Sequence, residues 1–399
     1  MIRGFDMELL RKLAQEYFNG NKKLKNEILD RYTKLTLIKR EAAKKRFLRY
    51  KFGSKVSIKK IKNRGRKKKY DSFCKSLIRE IWELSGNICA ERLYETRLVY
   101  IEQLAANNKL NAYNLEVIDK VNSISLGSLK NIIKSFPKAS SARRKGNLDI
   151  YKNIGIEANF GKYAKLSPGY IEIDYVEHNG GTSSGTFAIT GTYTDLYSQF
   201  VARAAGLGKN LRSIEGIDRL AHHKIYFPVV HYHPDNDKSI LSLLFNRLKC
   251  DKQSTYDLSR SRPYHKNDNA HVEQKNGDKV RQLVGYFRYD SEEEVRLLNK
   301  IYEKADLIDN FFIPSFKLQE KVVDAKGRTI KKTYDKPKTP YMRIIESDKV
   351  TENVKLELKM IYNSLNLVKL REELDILLDE LIKEVKKKNK EISGTKIII

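Results

Sequence analysis

The sequence has little of what membrane and secreted proteins require. Its 399 residues include only three cysteines, and none forms a Cys-x-x-Cys pair. Neither a disulfide framework nor a structural zinc site is therefore expected. No apolar run approaches the roughly 20 residues that span a bilayer, and the first residues lack the apolar core of a signal peptide. We expect an intracellular protein, in the cytoplasm with the nucleoid, that has no membrane partner.

Acidic residues are also scarce relative to basic ones. Lys and Arg number 78 against 50 Asp and Glu, which gives a net charge of +28. Residues 1–69 alone hold 24 basic and 6 acidic side chains, a net charge of +18. Such concentrated charge favours a polyanionic partner through counterion release. The alternative is a lysine-rich solvated surface, and composition does not distinguish DNA from RNA.

The first 58 residues are predicted to form a helical, helix-turn-helix-like DNA-binding region. Apolar residues recur at helical spacing over 5–50, with a turn at Asn19-Gly20-Asn21. A basic helix is expected over 39–52, and such a helix can lie in the major groove. Its expected apolar stripe is Ala42, Ala43, Phe47 and Leu48.

Residues 59–69 form a basic linker in which eight of eleven side chains are Lys or Arg. The run is either a solvated connector or a segment whose Arg64 and Arg66 contact phosphates or a minor groove.

A second helical DNA-binding domain is predicted over 70–140. Its first helix is expected to bury Phe73, Leu77, Ile78, Ile81 and Trp82. Residues 118–136 resemble a second helix-turn-helix, in which Ser125 or Ser128 caps the second helix and Lys130 and Lys134 face outward.

After a connector over 141–165, the pattern changes to short strands, and we assign 166–300 to an α/β catalytic core. The expected order β-β-β-α-β-α-β-α is that of an RNase H-like fold, a mixed sheet with helices on both faces. The expected strands are 170–176, 186–193, 199–204, 226–232 and 255–259, and the expected helices are 208–222, 238–249 and 268–287.

The remaining chain divides into a basic β-module and a helical tail. Within 301–350, the runs 316–323 and 329–334 are strand-like and rich in lysine. The tail over 351–399 carries a leucine stripe, for which packing on the core is favoured over a coiled-coil seam. The chain as a whole is therefore predicted to be a multi-domain α/β protein.

Three carboxylates lie where this order of elements needs them for catalysis. Asp174 is inside the first strand, Asp235 directly follows the strand 226–232, and Glu273 is in the first turn of the long helix. An acid inside an apolar strand is costly unless it is paired or bound to metal. Three carboxylates around one cleft suit two Mg²⁺ or Mn²⁺ ions roughly 3.5–4 Å apart, which activate a hydroxyl and stabilise the leaving oxygen in phosphodiester transfer.

The sequence around these acids resembles that of the integrase-core transposases of bacterial insertion sequences, which belong to the retroviral integrase superfamily of DDE recombinases. The likeness extends over most of the chain, from 64–70 to 336–341. Its most specific segment is 260–276, RSRPYHKNDNAHVEQKN, and two others are 168–174, PGYIEID, and 227–236, FPVVHYHPDN.

The resemblance implies an RNase H-like catalytic domain that uses Mg²⁺ or Mn²⁺, with two ions in each active site. It implies double-stranded DNA as the partner, both element ends and target, recognised by N-terminal helix-turn-helix domains. Pairing two ends implies a homo-oligomer on DNA. The family's acidic triad falls on Asp174, Asp235 and Glu273. Around it, the candidate phosphate contacts are Lys266, Asn267, Lys275 and Lys279.

The sequence departs from the family pattern after the second aspartate. The family continues Asp-Asn with Gly and then Glu, whereas Asp237 and Ser239 stand here. Asp237 would restore the family's usual 35 residues before Glu273, but Asp235 keeps its distance from Phe227-Pro228 and is preferred, with Asp237 as the fallback. An active transposase is expected; the alternatives are a catalytically decayed, element-derived DNA-binding protein and an RNase H-like nuclease.

Overall fold

The computed structural model describes residues 3–36, 38–51, 69–136, 167–234, 242, 257–258, 280–324 and 329–394. The chain forms two compact units, Met1–Lys69 and Tyr70–Ile399. Among the described residues, no helix combines the length and the apolar character that crossing a bilayer requires.

The first unit contains three helices that all pack on one another: α1 (Arg3–Asn19), α2 (Lys22–Thr36) and α3 (Arg40–Lys51). The predicted helices are thus confirmed, but the predicted stripe of α3 is partly wrong. Ala43 and Phe47, one turn apart, face the shared core, whereas Ala42 and Leu48 are exposed. The reason is geometric, because a short helix on two neighbours buries only a narrow face.

The second unit begins with four helices: α4 (Ser72–Leu84), α5 (Ala90–Ala106), α6 (Leu115–Asn122) and α7 (Leu126–Lys134). Asp71 caps α4 by accepting a hydrogen bond from the backbone N–H of Cys74 at 2.9 Å. Cys74, not Phe73, is buried in the first turn, and the ring of Phe73 is exposed. The predicted positions Leu77, Ile78, Ile81 and Trp82 are buried.

These helices share one hydrophobic core with the rest of the second unit. Residues 70–140 therefore do not form the separate domain that was expected. The Tyr100 hydroxyl donates to the carbonyl of Phe312 at 2.7 Å, and Arg371 Nε donates to the carbonyl of Leu84 at 3.0 Å. Long-range bonds of this kind tie the helices to the C-terminal part of the chain.

A mixed five-stranded sheet follows, in the order β3-β2-β1-β4-β5. The strands are β1 (Tyr170–Glu177), β2 (Ala188–Asp195), β3 (Val201–Leu207), β4 (His231–Pro234) and β5 (Asp257–Leu258). Strand β2 runs antiparallel to its neighbours β1 and β3, and β4 and β5 run parallel to β1. Helix α8 (Leu211–His222) packs on β2 and β3, so the general α/β class is confirmed.

Several predicted boundaries are shifted by a few residues, and two of the shifts have a clear local cause. Strand β4 begins at His231 rather than at residue 226, because the sequence there contains Pro228, which has no N–H to give to a strand ladder. Helix α9 (Gln282–Val284) ends before the expected residue 287, since Gly285 follows it with a φ of 81°. The helix predicted over 238–249 and most of that over 268–287 lie outside the described residues.

The C-terminal part contains one long helix that the sequence did not reveal, α10 (Glu292–Phe311). The predicted strands are present as an antiparallel pair, β6 (Leu318–Val323) and β7 (Thr329–Tyr334). They are followed by α11 (Pro340–Ile345), α12 (Glu352–Ser364) and α13 (Leu367–Gly394). Helix α13 packs on α10, so the leucine stripe serves the core, as favoured.

Helix α10 closes the free edge of the sheet. Strand β3 is the last strand on its side, and its outward backbone groups would otherwise have no partner within the sheet. Polar side chains of α10 bond to them instead. The pairs are Asn310 with Val201 (2.8 and 2.7 Å), Asp306 with Arg203 (3.0 Å) and Asn299 with Ala205 (2.8 and 2.9 Å).

A buried ion cluster reinforces the same contact. The guanidinium of Arg203, with 1% of its side chain exposed, pairs with Asp306 and Asp309, each at 2.7 Å. Lys224 donates to Asp306 at 3.0 Å and to the carbonyl of Arg203 at 2.6 Å. The two carboxylates raise the pKa of Arg203 against the opposing effect of burial.

Replacing Asp306→Ala is expected to lower the free energy of unfolding by about 3–5 kcal/mol, because it leaves buried cations without a main partner. Urea unfolding followed by the fluorescence of Trp82, the only tryptophan, measures this. The matched control on the same helix is Glu293→Ala, which removes only an exposed pair with Arg296 and should leave the midpoint unchanged. Equal effects of the two changes would contradict the account.

Candidate active site

Asp174 lies on β1, which is the central strand of the sheet. It stands opposite Thr192 of β2, and its side chain is half-buried while Thr192 is fully buried. Ile171 and Ile173 are buried on the other side of the strand, and Glu172 on the Asp174 side is buried as well. An accessible carboxylate is thus held on a strand whose apolar neighbours fix its position.

The end of β4 comes alongside the same part of β1. In the parallel register, Glu172 lies opposite His233 and Ile173 lies opposite Pro234, and Glu172 and His233 are both buried. In the sequence, Asp174 directly follows Ile173 and Asp235 directly follows Pro234. The described end of β4 therefore lies beside the part of β1 that leads into Asp174.

Apart from Lys130 and Lys134 on α7, the other predicted site residues lie outside the described part of the chain. These are Asp235 with its fallback Asp237, Glu273, Arg64, Arg66, Lys266, Asn267, Lys275 and Lys279. The described residues, which include Asp174 alone of the triad, contain no group of three His, Cys, Asp or Glu side chains that could hold a metal.

A buried polar chain lies just beyond the end of β1. His178 Nε2 is 2.8 Å from the hydroxyl of Thr190, which is 2.9 Å from the hydroxyl of Tyr302 on α10. Burial, with a smaller contribution from the charge of Arg281, lowers the pKa of His178 to about 4. The imidazole is therefore neutral at pH 7 and serves as a hydrogen-bonding partner rather than a cation.

Arg288 clamps the turn between β1 and β2. Its guanidinium donates to the carbonyl oxygens of four turn residues. These are Asn179 (3.3 Å), Thr182 (3.1 Å), Ser184 (2.8 Å) and Thr186 (3.0 Å). The backbone of Arg288 also passes close to Gly180, where an added Cβ would meet the Arg288 Cβ at 2.6 Å. Glycine with a φ of 62° is what this approach requires.

Arg288 is itself held in place by the C-terminal helix α13. Lys388 of α13 donates to the carbonyl of Arg288 at 2.9 Å, to Asp290 at 2.9 Å and to Glu294 at 2.8 Å. Next to Arg288, the backbone of Tyr289 bonds to His178 and Ala188, at the ends of β1 and β2. The turn beside Asp174's strand is thus fixed by residues more than 100 positions later in the chain.

The two predicted DNA contacts on α7 differ in their surroundings. Ser125 caps α7 by accepting from the N–H of Ser128 at 3.3 Å, one of the two caps considered. Lys130 is exposed but pairs with Glu91 of α5 at 2.8 Å, whose pKa it lowers. Lys134 is exposed in the last turn. Both lysines face outward as predicted.

Arg288, Lys388 and His178 were not singled out from the sequence. Their partners are distant in the chain, and nothing local distinguishes them from ordinary charged residues. The Asn179-Gly180-Gly181 run is typical of a turn, yet a turn does not reveal which side chain will hold it.

No protein-family model matches the sequence. The chain is 31% identical over 267 residues to a protein of Sinorhizobium fredii (strain NBRC 101917 / NGR234) described as "Uncharacterized protein y4rM". The match covers 66% of this chain and 75% of that protein. The chain therefore belongs to the same protein family as y4rM.

The depressed pKa of His178 predicts a loss of stability in acid. In the unfolded chain the imidazole of His178 binds a proton below its ordinary pKa of 6.5, whereas in the folded chain it binds that proton only below about pH 4. Stability should thus be complete above pH 6.5 and fall by about 3 kcal/mol from this group between pH 6.5 and 4. The variant His178→Gln should show a shallower decline in urea unfolding at pH 7, 5.5 and 4. Parallel profiles of the variant and the original chain would contradict the assignment.

Proposed function

We propose that this member of the y4rM family is a DNA transposase of the integrase-core type, which cleaves element ends and joins them to target DNA. The observation that carries the proposal is Asp174, an accessible acid on the central strand of a mixed sheet. The element order β-β-β-α-β and the sheet order around β1 support an RNase H-like core for the second unit. The resemblance of 260–276 to the family's glutamate motif supports the same assignment.

The register of β1 and β4 supports Asp235 as the second carboxylate. Ile173 lies opposite Pro234, and each is followed by an aspartate. Covalent geometry holds the Cα of Asp235 about 3.8 Å from that of Pro234. Asp237 is two residues further along the chain, so no comparable constraint keeps it near Asp174.

The donor set suits hard divalent cations. Carboxylate oxygens are the ligands that Mg²⁺ and Mn²⁺ prefer, and we propose that Asp174, Asp235 and Glu273 hold two such ions. The bound ions would activate the attacking oxygen and stabilise the leaving one. The protein's own part is to orient: the packing of Ile171 and Ile173 fixes Asp174, and Arg288 fixes the turn that follows its strand.

DNA is the proposed partner because positive charge is concentrated in the first unit and the linker. In the three-helix unit, α3 carries exposed Lys45 opposite the buried face of Ala43 and Phe47, an arrangement in which a basic helix can enter the major groove. Lys134 on α7 and Arg64 and Arg66 in the linker are further proposed contacts. Holding two ends together calls for at least two copies of the chain.

The triad is tested by strand transfer on duplex DNA with the element's terminal sequence, in Mg²⁺ or Mn²⁺. Each of Asp174→Asn, Asp235→Asn and Glu273→Gln should lower the rate at least about a thousandfold. The matched control is Asp237→Asn, which should retain activity. The reverse result for the two aspartates would move the second ligand to Asp237.

Two outcomes of the same assay would overturn the proposal. DNA binding without cleavage or joining in either metal would support a decayed, element-derived DNA-binding protein. Faster cleavage of RNA–DNA hybrids than of element ends would support an RNase H-like nuclease.

The linker's role is tested by the dependence of DNA affinity on salt. Replacing Arg64→Ala and Arg66→Ala together should reduce the slope of log affinity against log salt by about two, since each phosphate contact contributes about one. The control Arg296→Ala removes an exposed arginine of α10 and should leave the slope unchanged. Identical slopes for both variants would show that the linker is a solvated connector.

A further inference from the structure

Two adjacent aromatic side chains are exposed directly after α9. Tyr286 is 71% exposed and Phe287 is 48% exposed, whereas Val284 before them and Tyr289 after them are buried. Large aromatic residues normally contribute to a core or an interface, and a neighbouring pair left in solvent marks a surface that binds something.

The pair is held rigidly, so its exposure does not come from a loose segment. Gly285 has a φ of 81°, and an added Cβ there would lie 3.0 Å from two ring carbons of Phe287. The Phe287 ring therefore rests against the glycine backbone. On the other side, the Tyr289 hydroxyl donates to the carbonyl of Val284, and Arg288 is fixed to the β1–β2 turn. Both ends of the exposed turn are anchored.

The electrostatic surroundings of Tyr286 and Phe287 suit an anionic ligand with flat rings. The guanidinium of Arg281 lies over the Tyr286 ring, 5.0 Å from its centroid. Of the two arginines in residues 280–289, Arg288 pairs with Asp290 at 2.8 Å and holds the β1–β2 turn, so the cation beside the exposed rings is Arg281. Aromatic rings that stack bases beside arginines that attract phosphates are the usual means by which proteins bind unpaired nucleic acid strands.

The turn lies beside the C-terminal end of β1, the strand that carries Asp174. The N–H of Tyr289 donates to the carbonyl of His178, four residues after Asp174 along the chain. At about 3.3 Å per strand residue, His178 is about 13 Å from Asp174 along the strand. A DNA strand with about 3.4 Å per nucleotide covers that distance in about four nucleotides.

We propose that Tyr286 and Phe287 form a stacking platform for unpaired bases of the DNA strand within about five nucleotides of the cleaved phosphate. The substrate of the enzyme is then a DNA end with locally opened bases, because bases inside an intact duplex have no free face to offer. The position relative to the cleaved phosphate rests on the proposed function; the stacking itself does not.

The test measures binding of the full chain, in EDTA, to a blunt duplex and to the same duplex with a five-nucleotide dT overhang. The original chain should prefer the tailed duplex, and Tyr286→Ala or Phe287→Ala should each reduce that preference about tenfold. Tyr286→Phe keeps the ring and should keep the preference. Met360→Ala, which removes another exposed apolar side chain far along the sequence on α12, is the matched control.

Unchanged preference in both alanine variants, with unchanged urea midpoints, would overturn the proposal. So would a loss of self-association in sedimentation with no change in DNA preference, which would make the pair a protein contact. Because no metal is present, the result is independent of catalysis. Tail binding that depends on Tyr286 in a chain that never cleaves DNA would contradict the proposed enzyme and leave the platform standing.

Discussion

The closure of the β3 edge by α10 is the constraint on which the second unit depends. An open edge strand offers unpaired backbone groups to any other strand, and proteins must cover or interrupt it. Here three side chains of one helix replace the missing strand, and the buried pair of Arg203 and Asp306 fixes their register. With that side closed, the sheet is flanked by helices and β1 remains its central strand.

The same helix links the edge to the candidate site. Tyr302 of α10 reaches Thr190 and, through it, His178 at the end of β1. At the start of α10, Glu294 accepts from Lys388 of α13, which also holds the backbone of Arg288. The turn that follows Asp174's strand is thereby fixed to the C-terminal helices. The metal site that we propose would need this kind of support, because its ligands must be held before substrate arrives.

Sequence reasoning succeeded where local pattern decides structure. The strand that contains Asp174, the three N-terminal helices and the β6–β7 pair follow from periodicity and turn residues alone. It failed where distant partners decide. Helix α10 presents Asn299, Asp306 and Asn310 to the sheet, polar residues whose purpose is visible only beside β3. Phe73 was expected in the core because its spacing fits, yet the capped first turn of α4 buries Cys74 instead.

The central claim is that carboxylates far apart in the sequence share one metal site, and iron-directed cleavage tests it most directly. Fe²⁺ bound in place of Mg²⁺ generates hydroxyl radicals with ascorbate and peroxide, which cut the backbone beside the metal. The account predicts cuts near Asp174, Asp235 and Glu273 that excess Mg²⁺ suppresses. Cuts confined to other regions, or none that Mg²⁺ suppresses, would contradict it.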